Sequence, residues 1–295
     1  MASSEIQLPD KNASLDTKTS GDFFFKSQHQ GPISEMPVLR RSLLFCEMTL
    51  ASYLPLQDAN SIAGKLGFTD GKVIRGGAID VFWFQNEFDA VMVFRGKEIR
   101  ELDQAIELQT LPSTMAETTG WVISDFKAMA DGIWPAIEAE LESNDRNLWF
   151  CGHSLGAAAA TLCASRCVLS FIKSQPNELH TFGCPRVASR QYLKHVKLKH
   201  FRWVNYQDPV PQIPEMRSGF DHEGIEMCVD RFGRLANPRG VRRFFRRLMT
   251  RASELGNPNW MSISPHLAPS YVDAVFDIVR SEEAKSNSPW NTTSF

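Results

Sequence analysis

The chain has 295 residues, of which 43% are hydrophobic and 22% are charged. These proportions are typical of a globular protein and exclude a collagen-like, coiled-coil or wholly disordered chain. The length suits one large domain or two modest ones. Lys and Arg total 32 against 34 for Asp and Glu, a formal charge of -2, so the overall charge gives no argument for nucleic-acid binding.

The two ends of the chain differ in composition from its middle. Residues 1–35 are polar and poor in aliphatic side chains, which predicts a mostly disordered arm, and residues 283–295 are predicted to form a flexible tail. Residues 36–282 are predicted to form one domain. The first twenty residues contain no apolar signal segment, and no run of about 18 apolar residues predicts a membrane helix. These features lead us to expect a cytoplasmic protein.

Apolar runs with strand spacing alternate along the middle of the chain with runs that have helical spacing. In chain order, the sequence predicts a helix over 38–54, a strand with a turn over 73–84, a strand over 88–94, a helix over 120–141, a strand over 148–151, a helix over 155–172, strands over 179–182, 201–206 and 225–229, a basic helix over 239–255 and a final helix over 267–279. This alternation predicts an α/β fold with a mainly parallel sheet.

The six cysteines mostly lie inside these apolar runs, and none of their spacings is typical of a disulfide framework or a CxxC metal clip. We expect them to be buried free thiols, and we expect no metal site.

A possible nucleophile lies in the sequence Gly152-His153-Ser154-Leu155-Gly156, which fits the pattern G-x-S-x-G. The pattern alone is weak, but here it follows a predicted strand and opens a predicted helix, which is the context of a nucleophile elbow. Side chains at the flanking positions would clash in so sharp a turn, and Gly152 and Gly156 carry none. The motif therefore predicts Ser154 as a nucleophile; the alternative is a glycine-rich strand end with an incidental serine.

A catalytic serine needs a histidine base and an acid that orients it. In hydrolases with this elbow the chain order is serine, acid, histidine, which leaves His222 and His266 as candidate bases if Asp208 is the acid. His266 is favoured because it lies in a loop just before the last predicted helix, from where it can reach the top of the sheet. His222 is expected to bind backbone groups near the site instead.

The candidate acid is Asp208, which follows the apolar strand predicted over 201–206. Pro209 and Pro211 stiffen the loop that carries it and hold its carboxylate at the carboxyl end of the strand. Asp221 and Asp230 fall in a later hairpin and are disfavoured.

Several motifs in this order resemble the class 3 (fungal-type) lipase family over about residues 43–279. They are the segments 152–158 (GHSLGAA), 182–187 (FGCPRV), 205–211 (NYQDPVP), 94–96 (FRG) and 220–226 (FDHEGIE). The resemblance implies an α/β-hydrolase fold and hydrolysis of lipid acyl esters through Ser154, Asp208 and His266. It implies no metal or cofactor.

The oxyanion hole would use the backbone N–H of Leu155 and, by resemblance, that of Lys97, which follows the FRG segment. Relatives usually have Ser or Thr at the Lys97 position. A lysine keeps the N–H but lacks the hydroxyl, a loss that would cost about 2–4 kcal/mol of transition-state stabilisation if nothing replaced it. Lys97 is therefore also the one argument for an alternative, a catalytically weak binding or scaffold protein. A further alternative is acyl transfer to an alcohol through the same acyl-enzyme.

The predicted basic helix carries six arginines between Arg239 and Arg251, with apolar residues interleaved at helical spacing. One interpretation is a surface helix with a solvated basic face. Another is docking on an anionic membrane surface, where each basic residue adds about 1 kcal/mol. Nucleic-acid binding is disfavoured because the rest of the chain is slightly acidic.

Overall fold

The computed structural model describes residues 26–27, 30–96, 111–170, 172–215, 218–236 and 264–286. The helices in these ranges are α1 (Val38–Ala51), α2 (Leu56–Lys65), α3 (Ser124–Glu142), α4 (Leu155–Leu169), α5 (Arg190–Leu193) and α6 (Ala268–Ser286). The strands are β1 (Asp70–Gly76), β2 (Ile79–Gln85), β3 (Asp89–Phe94), β4 (Pro112–Ser113), β5 (Val122–Ile123), β6 (Asn147–His153), β7 (Pro176–Phe182), β8 (Ala188–Ser189), β9 (His200–Asn205), β10 (Phe220–Asp221), β11 (Ile225–Val229) and β12 (Leu235–Ala236).

Eight of these strands form one sheet in the order β1-β2-β3-β6-β7-β9-β11-β12. The five strands from β3 to β11 pair in parallel, whereas β1, β2 and β12 pair antiparallel at the two edges. The predicted α/β fold with a mainly parallel sheet is therefore confirmed. Because the central strands are parallel, the loops that follow them meet at one edge of the sheet, which we call the carboxyl edge.

The apolar composition of the central strands explains their position. All six residues of β3 are buried, and so are six of the seven in β6, as expected for strands covered by helices on both faces. One apolar core lies between the sheet and α3 and α4, and a second lies between the sheet and α1 and α6. The alanines at 157–160 are fully buried, and their small size lets α4 lie close to the sheet.

The structure differs from the predicted elements in several places, and short elements such as α5, β4, β5, β8, β10 and β12 were not predicted. The strand predicted over 73–84 with a turn at Gly76-Gly77 is a hairpin, as expected, but β1 already begins at Asp70 and the two turn residues are Gly77 and Ala78. Helix α2 was not predicted, because Asn60, Ser61 and Gly64 give it a weak helical signal. Helix α3 begins at Ser124 rather than at residue 120.

The packed fold also extends beyond the predicted domain limits. Before residue 36, Ser27 and Ile33 are buried. The backbone N–H of Ser27 donates to the buried Glu47 carboxylate at 3.2 Å, and that of Ile33 donates to Asp89 at 2.8 Å. At the other end, α6 continues to Ser286, inside the predicted tail. The described residues do not include 1–25, 287–295 or the predicted basic helix. The predictions of a disordered arm and a flexible tail therefore now apply only to residues 1–25 and 287–295.

All six cysteines are buried and unpaired. Burial raises the pKa of the Cys151 thiol to about 12, because the low-polarity interior disfavours the thiolate. None of the helices in the described ranges has the length and apolarity that crossing a bilayer requires.

Candidate active site

Ser154 lies in the turn between β6 and α4, at the carboxyl edge of the sheet. It is the only non-glycine residue in the described ranges with a positive φ, with φ 57° and ψ -127°. Its backbone N–H donates to the carbonyl oxygen of Phe182 on β7 at 3.0 Å. Since this backbone conformation is costly for a residue with a side chain, the packing on both sides must hold it in place.

The two glycines of the motif permit this turn. A Cβ at Gly152 would lie 2.9 Å from the carbonyl group of Gly156, closer than real Cβ contacts. A Cβ at Gly156 would lie 2.2 Å from the carbonyl oxygen of Phe94, where β3 ends. Both positions therefore require glycine for the strand, the turn and the helix to approach one another.

The structure brings the three predicted catalytic residues into one hydrogen-bonded chain. The Oγ of Ser154 lies 2.8 Å from Nε2 of His266, and Nδ1 of His266 lies 2.8 Å from Oδ2 of Asp208. All three residues are buried, and none is more than 2% exposed. A carboxylate only accepts hydrogen bonds, so Nδ1 of neutral His266 carries the proton and Nε2 is available to accept one from Ser154.

Further donors hold the carboxylate of Asp208. The backbone N–H of Val210 donates to Oδ1 at 2.9 Å, and the hydroxyl of Tyr271 donates to Oδ2 at 2.5 Å. The backbone N–H of Asn205 donates to the Tyr271 oxygen at 3.1 Å. Burial, and next the charge of Asp208, raise the pKa of Tyr271 well above its usual value, so Tyr271 keeps its proton and remains a donor.

Gly183, immediately after β7, lies beneath the histidine and the acid. It has a φ of +61°, and a Cβ there would lie 2.8 Å from Oδ2 of Asp208 and 3.0 Å from Nδ1 of His266. Any other residue would therefore displace the pair of side chains and strain the backbone as well.

A second histidine, His153, packs against His266. The two ring centroids are 4.8 Å apart. The Nε2 of His153 lies 2.6 Å from the carbonyl oxygen of His266, and its Nδ1 lies 2.7 Å from the hydroxyl of Tyr53. Because the carbonyl oxygen can only accept, Nε2 carries the proton and Tyr53 donates to Nδ1. Burial, and next the nearby His266, lower the pKa of His153 well below its usual value, which keeps it neutral.

One of the two predicted oxyanion donors lies within the described residues. Leu155 is the first residue of α4, and the first N–H groups of a helix have no partner inside that helix. Gly96 approaches the same turn, since a Cβ there would lie 3.4 Å from the Cβ of Ser154 and 2.7 Å from the carbonyl oxygen of His153. Lys97, the second predicted donor, lies outside the described residues, and its N–H remains a prediction.

The rejected candidates have other partners. The Nε2 of His222 lies 2.8 Å from the carbonyl oxygen of Pro211, so His222 supports the proline loop that carries Asp208. Asp221 pairs with Arg190, and Asp230 accepts N–H groups within a hairpin turn. In the described part of the chain, no three His, Cys, Asp or Glu side chains are grouped in a way that would hold a metal ion.

Four residues of this site were not identified from the sequence. His153 and Gly183 lie within motifs recognised above, but no role was assigned to them; a glycine or histidine directly at the end of a central strand is a usable signal for such a role. Tyr53 and Tyr271 gave no such signal, because their partners lie 100 and 63 residues away along the chain.

Comparison with known proteins gives a consistent result. Residues 91–218 match the model of the family described as Lipase (class 3). A secreted mono- and diacylglycerol lipase A of Penicillium cyclopium is 32% identical over 119 residues, which are 39% of this chain and 37% of the relative. Phospholipase A1-II 1 of Oryza sativa subsp. indica is 34% identical over 94 residues, which are 30% of this chain and 23% of the relative. The chain thus matches only part of these curated relatives. The secreted Penicillium relative does not support the cytoplasmic location expected from the sequence.

Solved structures show the same fold. Lipase II from Rhizopus niveus aligns with a TM-score of 0.55 at 18% identity and covers 65% of this chain and 80% of that one. A Rhizomucor miehei triacylglyceride lipase aligns with a TM-score of 0.53 at 21% identity, over 64% of this chain and 79% of that one. The chain therefore has an α/β-hydrolase fold, and its residues 91–218 match the class 3 lipase family.

Proposed function

We propose that this protein is a carboxylic ester hydrolase that cleaves acyl esters of lipids. The observation that carries the proposal is the buried hydrogen-bonded chain from Ser154 through His266 to Asp208, which starts on a strained turn at the amino end of a helix. In that arrangement a serine can act as a nucleophile without a metal or cofactor.

In the proposed mechanism, Oγ of Ser154 attacks the ester carbonyl carbon while Nε2 of His266 takes its proton. The imidazolium that forms is stabilised by the Asp208 carboxylate, 2.8 Å from Nδ1. The C–O bond to the alcohol then breaks, and His266 returns the proton to the departing oxygen. Water repeats these steps on the acyl-enzyme, which releases the carboxylic acid and restores Ser154.

The negative charge on the carbonyl oxygen needs N–H donors that are already in position. The N–H of Leu155 at the start of α4 is one, and the positive end of the helix dipole adds to it. The second proposed donor is the N–H of Lys97. Its predecessor Gly96 lies against Ser154, which supports a donor at this point of the chain.

The substrate class follows from the relatives. One is described as a mono- and diacylglycerol lipase and another as a phospholipase A1, and both act on acyl esters of glycerolipids by their names. We propose an acylglycerol or a phospholipid as the substrate of this chain.

A fluorophosphonate probe tests the proposal, because it bonds covalently only to an activated serine. We expect wild-type protein to be labelled, and we expect Ser154→Ala to be folded and unlabelled. Ser42→Ala is the matched control, since Ser42 is also buried and also contacts a histidine. It should be labelled at the wild-type rate.

Three results would contradict the proposal. Absence of labelling in the wild type would favour a binding or scaffold protein on this fold. Labelling of Ser154→Ala at the wild-type rate would overturn the nucleophile. If product analysis of glycerolipids with added alcohol gave mainly new esters, the reaction would be acyl transfer rather than hydrolysis.

A further inference from the structure

The hairpin between β11 and β12 has a rigid tip. The Oδ1 of Asp230 accepts the backbone N–H of Phe232 at 2.8 Å and that of Arg234 at 3.0 Å. The N–H of Asp230 in turn donates to the carbonyl oxygen of Arg234 at 2.8 Å. Gly233 takes the positive φ of +71° that the turn requires. The fold therefore holds residues 230–234 in one conformation, and we call them the hairpin tip.

The hairpin tip presents an aromatic ring to solvent between two cations. Phe232 is 64% exposed, the largest exposure among the large hydrophobic residues of the described ranges. The guanidinium carbon of Arg231 lies 4.6 Å from the ring centroid, and that of Arg234 lies 5.8 Å from it. Both arginines are exposed, and neither forms an ion pair with another described residue. The turn thus holds the Phe232 ring away from the core with a guanidinium group close on each side.

The sheet register fixes where this tip lies. β11 is parallel to β9, and Val229, the last residue of β11, pairs with Asn205, the last residue of β9. The hairpin tip therefore leaves the sheet at the carboxyl edge, where Asp208 follows β9 and Ser154 follows β6. An element at this edge can hold the site against whatever surface presents the substrate.

We propose that the hairpin tip docks on an anionic lipid surface, with Phe232 inserted among the lipid chains and with Arg231 and Arg234 on the phosphate groups. A single projecting ring suits a deformable bilayer better than a protein, which would need a pocket. The one carboxylate of the tip, Asp230, is engaged by backbone N–H groups, and the tip keeps a net positive charge. This proposal rests on the proposed lipid-ester function, because docking would serve to bring the active site to a lipid substrate.

The test measures binding of the full chain to vesicles, in the Ser154→Ala background so that no lipid is cleaved. The vesicles are phosphatidylcholine alone or phosphatidylcholine mixed with phosphatidylglycerol. The matched control is Phe88→Ser, because Phe88 is 40% exposed and lies before β3, at the opposite edge of the sheet. All variants are compared by sedimentation over a salt series.

Phe232→Ser should weaken binding to the mixed vesicles roughly tenfold, as expected when an inserted ring is lost. Arg231→Ala combined with Arg234→Ala should weaken it by a similar factor and flatten its salt dependence, since two phosphate contacts disappear. Phe88→Ser should bind like the parent protein.

The proposal is overturned if Phe232→Ser binds as well as its parent, or if Phe88→Ser loses as much as Phe232→Ser. It is also overturned if the tip variants bind normally while Arg243→Glu combined with Arg247→Glu abolishes binding, because the predicted basic helix would then do the docking. If wild-type protein binds vesicles through the tip but cleaves no ester, the proposed function fails and the docking surface stands.

Discussion

The described part of the fold contains two buried, hydrogen-bonded chains of serine, histidine and acid, one at the carboxyl edge of the sheet and one beneath α1. At the carboxyl edge, Ser154 contacts His266, which contacts Asp208. Under α1, Ser42 lies 3.1 Å from Nδ1 of His180, and Nε2 of His180 lies 3.0 Å from Glu178. Residue types and distances are almost the same, so they cannot by themselves explain why only the first chain is proposed to be catalytic.

The backbone around the serine is the first difference. Ser154 has a strained conformation directly before a helix, where N–H groups are available to a developing oxyanion. Ser42 lies inside α1, where the N–H groups serve the helix itself. His180 also packs against aromatic rings, with the ring centroids of Phe45 at 4.7 Å and Phe201 at 5.0 Å.

The acid is the second difference. Glu178 receives two hydrogen bonds from the guanidinium of Arg41, at 2.6 Å and 2.7 Å. That cation already balances the carboxylate, and burial lowers the pKa of His180, so the histidine stays neutral. Asp208 is held instead by a backbone N–H and by the hydroxyl of Tyr271. Its charge therefore remains available to an imidazolium, and we infer that this availability separates a catalytic chain from a structural one.

The largest expected effect is on the base. His266→Ala should lower kcat on a soluble ester by about 10⁴-fold, because Ser154 loses the group that takes its proton. Steady-state hydrolysis of a p-nitrophenyl ester, with circular dichroism to verify folding, measures it. A variant that keeps most of its activity while His222→Ala is inactive would mean that the triad is misassigned.

A smaller but still large effect is expected from Gly183→Ala. The added Cβ would press on Asp208 and His266, and a displacement of about 1 Å in such a site costs about 100-fold in rate. Gly233→Ala is the matched control, because Gly233 also has a positive φ of +71° but has no atom within 4 Å of its Cβ position. Both variants should lose about 1–2 kcal/mol of stability from backbone strain, measured by urea unfolding. Gly183→Ala should lose more because of its contacts, and only Gly183→Ala should lose activity. Equal activities would show that the contact is tolerated.

Tyr271→Phe tests the acid directly. The ring packing remains, but Asp208 loses a donor that holds its carboxylate in position, and this loss of positioning should lower kcat about tenfold. A carboxylate with one donor fewer stabilises the imidazolium more strongly, so the acid limb of the pH profile of kcat/KM should move to higher pH. A purely structural role for Tyr271 would lower activity equally at every pH.

The smallest expected effect on kcat comes from changing the second hydrogen-bonded chain, which consists of Ser42, His180 and Glu178. Ser42→Ala should leave kcat unchanged, because the Ser42 side chain has no part in the proposed chemistry. It should lower the free energy of unfolding by about 1–3 kcal/mol, since Nδ1 of buried His180 loses its donor. Urea unfolding and ester hydrolysis, measured on the same preparation, separate these effects. A loss of activity with unchanged stability would contradict the structural role assigned to Ser42.

The sequence predicted the parts of this molecule that depend on local pattern. The buried strands, the glycines around Ser154 and the proline loop after β9 all leave short-range signals, and they led to Ser154, Asp208 and His266. The second chain left none, because its serine and histidine are 138 residues apart. The same reason hid Tyr271, whose hydroxyl reaches Asp208 only after α6 packs against the sheet. Helix α2 was missed because packing, rather than propensity, stabilises it.

The burial of all six cysteines has a practical consequence for spectroscopy. Thiolates react with maleimides and thiols hardly do, and burial raises the pKa of Cys184 and Cys167 to about 12. Since the sequence contains no other cysteine, a single thiol introduced by Phe232→Cys would be the accessible one. An environment-sensitive dye could then be attached at position 232 without replacing any of the six natural cysteines. Its emission would then report directly whether that position leaves water when vesicles are added.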